Sequence, residues 1–119
     1  MSKEEQQIHK ALSLLGMARR AGVALIGQDQ VFGALHKRLC IVVASDCSPN
    51  VLRKITPALL NEACVCYRLE GVSREELGRP LGVQSAQIVA LPTKNGFAGK
   101  LAELLQQGGV HVYEQNEGI

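Results

Sequence analysis

The stretch from Gly22 to Arg38, GVALIGQDQVFGALHKR, sets the reading of the whole chain. A short apolar run, Val23 to Ile26, ends at Gly27. A polar trio follows, Gln28-Asp29-Gln30, and then a segment that ends in Lys37-Arg38. The apolar run reads as a short strand. Val31, Ala34 and Leu35 recur with helical spacing and predict a helix over residues 29 to 38. Gly33 weakens that helix by about 1 kcal/mol relative to alanine. Gly27 permits a tight turn or a close approach of backbone to a ligand. A helix that opens behind it points free N–H groups outward, which suits a phosphate or a base edge.

Outward from this unit, strand and helix go on alternating. On the N-terminal side, Ile8, Leu12 and Leu15 mark the apolar face of a helix over residues 3 to 21, widened by Ala11, Leu14 and Ala18. Arg19 and Arg20 fall in its last turn, where cations suit the helix dipole, and Gly22 ends it. On the C-terminal side, Cys40 to Ala44 is a continuous apolar run, the mark of a strand buried on both faces. Ser48 is a good N-cap and Pro49 suits the first helical position, with Leu52, Ile55 and Leu59 on one face. Pro57 predicts a kink or a restart. Cys64 to Leu69 is the next strand. Ser73 and Glu76 form a capping box that opens a short helix, which meets Pro80 and stops at Gly82. Ala86 to Leu91 reads as a strand and Pro92 to Gly96 as a turn. Phe97, Leu101, Leu104 and Leu105 mark a last helix that stops at Gly108-Gly109. The pattern predicts an α/β chain folded as a three-layer α/β/α sandwich around a mixed sheet of four to five strands. Residues 1 to 108 form a single domain. The tail, residues 109 to 119, is too short for a core and adds an edge strand or stays loose.

Composition fits one domain: 119 residues, of which 46% are hydrophobic. Aromatic residues are 3% and tryptophan is absent, so the core must be aliphatic. No apolar run approaches the ~18 residues of a membrane span. The polar start, MSKEEQQIHK, lacks the apolar stretch of a secretory signal, and a cytoplasmic location is expected. The net charge of +2 is unevenly spread. Residues 1 to 38 carry six Lys/Arg against three acids, whereas residues 73 to 119 carry four against five. Such a local basic surplus suits an RNA-binding surface as well as a solvated helix. The four cysteines make no C-x-x-C pair, and the three histidines are scattered, so neither a metal nor a cofactor is implied. Cys64 and Cys66, two apart, share one strand face and read as buried, reduced thiols.

Several separated pieces together resemble the kink-turn-binding ribosomal protein superfamily, which holds an archaeal large-subunit protein, eukaryotic small-ribonucleoprotein relatives and small bacterial proteins. The pieces are ARRAG (Ala18 to Gly22), IGQDQ (Ile26 to Gln30), VVASDCSP (Val42 to Pro49), Pro57, SREELGRPLGV (Ser73 to Val83) and KNGFAGKL (Lys94 to Leu101), the last nearest the bacterial branch. The resemblance implies an α/β/α sandwich, one edge of which binds a sharply bent RNA, and a non-catalytic, ribosomal type of function in translation. The family pattern at the second helix is Gly-x-Asn-Glu-x-x-Lys. Gly27 matches, while Asp29, Gln30 and Gly33 stand at the Asn, Glu and Lys positions. Carried over residue by residue, Gly27 allows close backbone approach and Gln28, Asp29 and Gln30 read guanine edges. Lys37 and Arg74 hold phosphates, and Leu77, Gly78, Gly82 and Val83 cover the bulged bases. Read from the residues alone, the Ser73 to Val83 stretch is equally a capped short helix packed on the sheet, with Leu77 and Leu81 in the core. An ionised Asp accepts but does not donate, and the loss of a cation at Gly33 weakens backbone attraction. The expected partner is a structured RNA, with ribosomal or RNA-processing proteins also possible and no membrane involved.

Two rival readings stand beside this one. Cys47 to Arg53 spells C-x5-R after a buried strand, the spacing of a thiol phosphatase, although Pro49 removes one N–H from the cradle. The changed Asn, Glu and Lys positions equally suit a module that keeps the fold and works through protein contacts.

Overall fold

A computed structural model of the protein describes residues 2–107. Helix α1 spans Lys3–Arg20. A capping box starts it: Glu5 N donates to Ser2 Oγ at 3.1 Å and Ser2 N donates to Glu5 Oε1 at 3.1 Å. Its far end closes with Gly22 at φ +77°, Gly22 N donating to Arg19 O at 3.0 Å and Val23 N to Ala18 O at 3.1 Å. That pair of bonds satisfies the last carbonyls and turns the chain sharply. The remaining elements are β1 (Leu25–Ile26), α2 (Gly27–Phe32), β2 (Leu39–Ala44), α3 (Pro49–Leu60), β3 (Cys64–Leu69), α4 (Arg74–Gly78), β4 (Ile88–Pro92) and α5 (Gly96–Gln107).

The four strands lie in the order β1-β4-β2-β3. β2 pairs parallel with β3, and β4 runs antiparallel to both β1 and β2. The sheet is therefore mixed, with the fully buried β2 inside it, as its continuous apolar run requires. Alternation sends Cys40, Val42, Ala44, Tyr67, Leu69, Val89 and Leu91 into one core with α1 and α5. Leu39, Ile41, Val43, Cys64, Cys66, Ile88 and Ala90 face a second core with α2 and α3. These are the three layers of an α/β/α sandwich. Cys64 and Cys66 share the α3 side, and all four cysteines are free.

Two expectations need correction. The second helix ends at Phe32, not at residue 38. Its last α-type bond runs from Gly33 N to Asp29 O at 3.1 Å. Ala34 N then reaches only Val31 O, and Lys37 N only Ala34 O, so the chain tightens into turns. A glycine with no side chain to pack gives way first. The third helix, by contrast, does not restart at Pro57. Pro57 is exposed in the last turn, so only the bond to the Arg53 carbonyl is lost, and Val51, Ile55, Ala58 and Leu59 hold the helix to the core. The expected tail conformation falls on residues 109 to 119, which lie outside the described residues. Among the described residues no helix is long and apolar enough to cross a membrane.

Candidate nucleic-acid interface

The register of the sheet decides which residues meet. Ile26 pairs with Val89, Val43 with Ile88, and Ala44 with Leu69. Because β1 and β2 both oppose β4, they run the same way, and so does β3. The ends of β1, β2 and β3 therefore share one edge with the start of β4. That edge carries Gly27 to Gln30, the turn Ser45 to Ser48, helix α4 and the loop from Arg79 to Gln87.

At the β1 end, Gly27 takes φ +86°, a conformation that disfavours any side chain. Nothing lies within 4 Å of where a Cβ would sit, so the glycine serves the turn and leaves open space above it. Gln28, Asp29 and Gln30 are exposed and, with Ile26 and Gly27, line an open concavity. Ile26 N donates to Gln30 Oε1 at 2.8 Å. That bond fixes the amide: its oxygen faces the turn, and its NH2 is the group left to offer outward. The Gln30 NH2 is thus left as a donor at this surface. Asp29 supplies the acceptor.

Helix α4 is held by a capping box, Glu76 N to Ser73 Oγ at 3.1 Å and Ser73 N to Glu76 Oε1 at 3.2 Å. Arg74, expected to hold a phosphate, is bound to Asp46. Its N–H donates to Asp46 Oδ1 at 3.0 Å, Nη2 donates to the Asp46 carbonyl at 2.7 Å, and Nε lies 3.5 Å from Asp46 Oδ2. Leu77, expected to cover a base, is wholly buried and belongs to the α1–α5 core. Helical spacing from the capping box turns it inward. Gly78 is also buried, and a Cβ there would lie 2.8 Å from Val83 O and 2.8 Å from Ser85 Cα. The glycine is needed because the returning loop presses on α4. Leu81 N and Val83 N both donate to Gly78 O, at 3.0 and 3.1 Å. Gly82, at φ +73°, and Val83, 40% exposed, are the members of this group that reach the surface.

Lys37 does not join them. It lies two residues before β2, at the opposite edge, where its carbonyl accepts from the Cys64 thiol at 3.4 Å. The start of β2 at Leu39 ties Lys37 to that edge whatever the length of α2. Asp46 and Gln87, which sequence reasoning passed over, shape the edge through partners far away in the chain. No local signal marks such pairs.

The C-x5-R loop forms no anion cradle. Ser48 N donates to Gln87 Oε1 at 2.7 Å, Val51 N to Ser48 Oγ at 3.4 Å, and Cys47 N to Ala44 O at 3.1 Å. The exposed Arg53 donates to Asn50. Burial pushes the Cys47 thiol up to about 11, against the pull of Arg68 and Arg74. A thiol that keeps its proton at neutral pH is a poor nucleophile.

Known proteins agree with this architecture. Residues 9–102 match the model of the ribosomal protein L7Ae/L30e/S12e/Gadd45 family. The chain is 33% identical over 97 residues to the RNA-binding protein YlxQ of Bacillus subtilis, covering 77% of this chain and 91% of that one. It is 29% identical over 101 residues to YlxQ of Enterococcus faecium, covering 82% and 92%. A solved structure of a protein with unknown function from Bacillus halodurans C superposes with a TM-score of 0.71 at 28% identity, over 82% of this chain and 97% of that one. The Giardia lamblia 15.5kD RNA binding protein superposes with a TM-score of 0.70 at 14% identity, over 94% and 92%, which speaks for the fold. With nearly the whole described core inside the matched span, the chain belongs to the L7Ae/L30e/S12e/Gadd45 family of ribosomal proteins.

Proposed function

We propose that this protein binds structured RNA of the kink-turn type, without catalysis, at the edge where β1, β2 and β3 end. The observation that carries this reading is the convergence of an open glycine turn with unengaged polar side chains, Gly27 to Asp29, and a glycine-bearing loop, Gly82-Val83, on that one edge. Membership of the family and the RNA-binding names of two YlxQ relatives support it. Gly27 admits the sugar-phosphate backbone closely. Asp29 accepts from the N1 and N2 donors of a guanine, while the Gln30 amide and Gln28 donate. Such contacts read unpaired or sheared bases, which is how RNA is usually told apart by sequence. Gly82 and Val83 meet the bulged bases, and Leu77 and Gly78 act from beneath by holding that loop. Arg74 acts mainly through Asp46, and Lys37 takes no part.

The test is binding of the purified protein to a labelled consensus kink-turn RNA, with a straight duplex of equal length as control, across a salt series. Preference for the kinked RNA at every salt concentration is expected. Equal, weak binding to both would replace this reading with a general basic surface. Absence of binding to either would favour the protein-contact module, with Asp29, Gln30 and Gly33 as the changes that removed the RNA site.

A further inference from the structure

The last turn of α1 converges on the loop before β4. A Cβ placed on Gly82 would lie 2.5 Å from Arg19 Nη2, 2.6 Å from Cζ and 3.1 Å from Nε. Three atoms of one planar group at such similar distances place the guanidinium face-on over the glycine, filling the volume that a side chain would occupy. Gly82 is constrained by its φ of +73°, and the space a side chain would take there holds the movable end of Arg19. Arg20, one residue on, lies beside Gly16, the glycine of α1 that faces Pro80. Its Nη1 lies 3.6 Å from the Cβ position of Gly16, whose other neighbours there are Pro80 O at 3.5 Å and Pro80 Cβ at 3.7 Å. Gly82 thus leaves room for the Arg19 guanidinium over the loop, and Gly16 leaves room for both the Arg20 side chain and Pro80 beside it.

The charge of these two side chains is not neutralised. Both are exposed, and among the described residues neither has an acid partner, unlike Arg74 with Asp46. Arg79 is different, because it shares a groove with Glu5, Glu70 and Glu76. A guanidinium with its face on the protein keeps its N–H edge free to meet a phosphate in the fork geometry that lysine lacks.

We infer that Arg19 is a positioning residue for the 78–83 loop, and that Arg19 and Arg20 together take a phosphate of the nucleic-acid backbone on the α1 side of that loop. This extends the interface beyond Gly27 to Gln30. The positioning role stands on geometry alone, whereas the phosphate role rests on the RNA reading above.

Hydrogen exchange of the free protein tests the first part without RNA. In Arg19→Lys, which keeps the charge and loses the flat face, the Gly82 and Val83 amides are expected to exchange about tenfold faster, while the α1 and β2 amides are unchanged. Arg20→Ala should leave those rates alone. Binding to the labelled kink-turn RNA and to the straight duplex tests the second part. Arg20→Ala should reduce the slope of log affinity against log salt by about 0.7 to 0.9, one phosphate, on the kinked RNA. Arg19→Lys should keep the slope and lose about fivefold of the preference for the kinked RNA, since it misplaces the loop without removing charge. Unchanged loop exchange in Arg19→Lys overturns the positioning role. An unchanged salt slope in both Arg20→Ala and Arg19→Ala overturns the phosphate role. Should the wild-type protein itself show no preference for the kinked RNA, the RNA reading fails, and the exchange result still decides whether Arg19 holds the loop.

Discussion

Two strand-to-helix junctions share one edge of this sheet, with the start of β4 between them. The first runs from β1 into α2 through Gly27, and the second runs from β2 into α3 through Cys47 and Ser48. In sequence both offer what an anion site needs: a strand end, small or polar residues, and a helix behind. In the structure they are opposites. The second junction is closed on itself. Asp46 holds Arg74, Gln87 takes the Ser48 N–H, the Ser48 hydroxyl takes the Val51 N–H, and Ser45 N reaches Val72 O at 2.8 Å. The first junction has one internal cross-link, Ile26 N to Gln30, and leaves Gln28, Asp29 and the Gln30 NH2 to solvent. Polar groups that already hold each other brace the fold; groups left open can hold something else. The difference lies in the neighbours, since Arg74 and Gln87 arrive from other elements to close the second junction and, among the described residues, nothing equivalent arrives at the first.

The largest effect is expected from opening the closed junction. Asp46→Ala removes an acceptor for the Arg74 N–H at the start of α4 and the charge beside its guanidinium. Both side chains are partly exposed, at 35% and 48%, so solvent softens the loss. Denaturant unfolding should show a stability lower by about 1–2 kcal/mol with an unchanged m-value. Gly27→Ala breaks the open junction instead. Its Cβ meets no atom, so only the positive φ opposes it, at about 1 kcal/mol. A cost for Gly27→Ala well above that for Asp46→Ala would reverse the assignment of bracing to one junction and openness to the other.

What the sequence discloses follows from how local each cause is. The strand at Cys40 to Ala44, the Ser73–Glu76 box and the apolar face of α1 are read from neighbours within one turn or a few residues, and all are present. The Ser2–Glu5 box has the same spacing and is equally legible. The length of α2 depends on whether packing outweighs Gly33, which no local pattern states. Lys37 lies at the opposite edge of the sheet because β2 begins two residues after it, and only the strand order shows which edge that is. Leu77 satisfies helical spacing whether it faces a core or a base, and only the placement of α4 over α1 and α5 chooses the core. Arg74 and Asp46 lie 28 residues apart, so their pairing is written in the β2–β3 register and in no motif. The candidate site was legible as a list of segments. Its shape came from strand order.

The next effect concerns binding at the open junction. Asp29 is exposed and makes no ion pair among the described residues, so Asp29→Asn should leave stability within about 0.5 kcal/mol of wild type. It replaces an acceptor-only group that repels phosphate with one that both donates and accepts. Affinity for the kinked RNA should rise about threefold to tenfold, with a smaller gain at high salt where the repulsion is already screened. Arg53→Ala, at the closed junction, should change neither stability nor binding. Weaker binding by Asp29→Asn would mean that the two guanine donors need both carboxylate oxygens, a loss larger than the relief of phosphate repulsion.

The smallest effect is expected at Cys47, and it separates the junctions by pH. The thiol rises from 9.0 to about 11 because it is partly buried, and in the folded chain it keeps its proton where the unfolded chain has lost it. The folded state therefore binds more protons between those values. Stability from this group is complete below about 9 and drains away as pH rises through 11, the reverse of a salt-bridged carboxylate. Cys40, pushed up to about 12 by burial, adds a loss in the same direction. The thermal midpoint should hold steady from neutral pH to about pH 8.5 and then fall. Cys47→Ser should shift that fall upward slightly without moving the neutral-pH plateau by more than about 3 °C. Iodoacetamide should alkylate Cys47 in the folded protein more slowly than a free cysteine at pH 7.5, since the thiolate is the reactive form. Fast alkylation at that pH would show a low thiol pKa and reopen the second junction as an anion site, and the contrast between the two turns would then collapse.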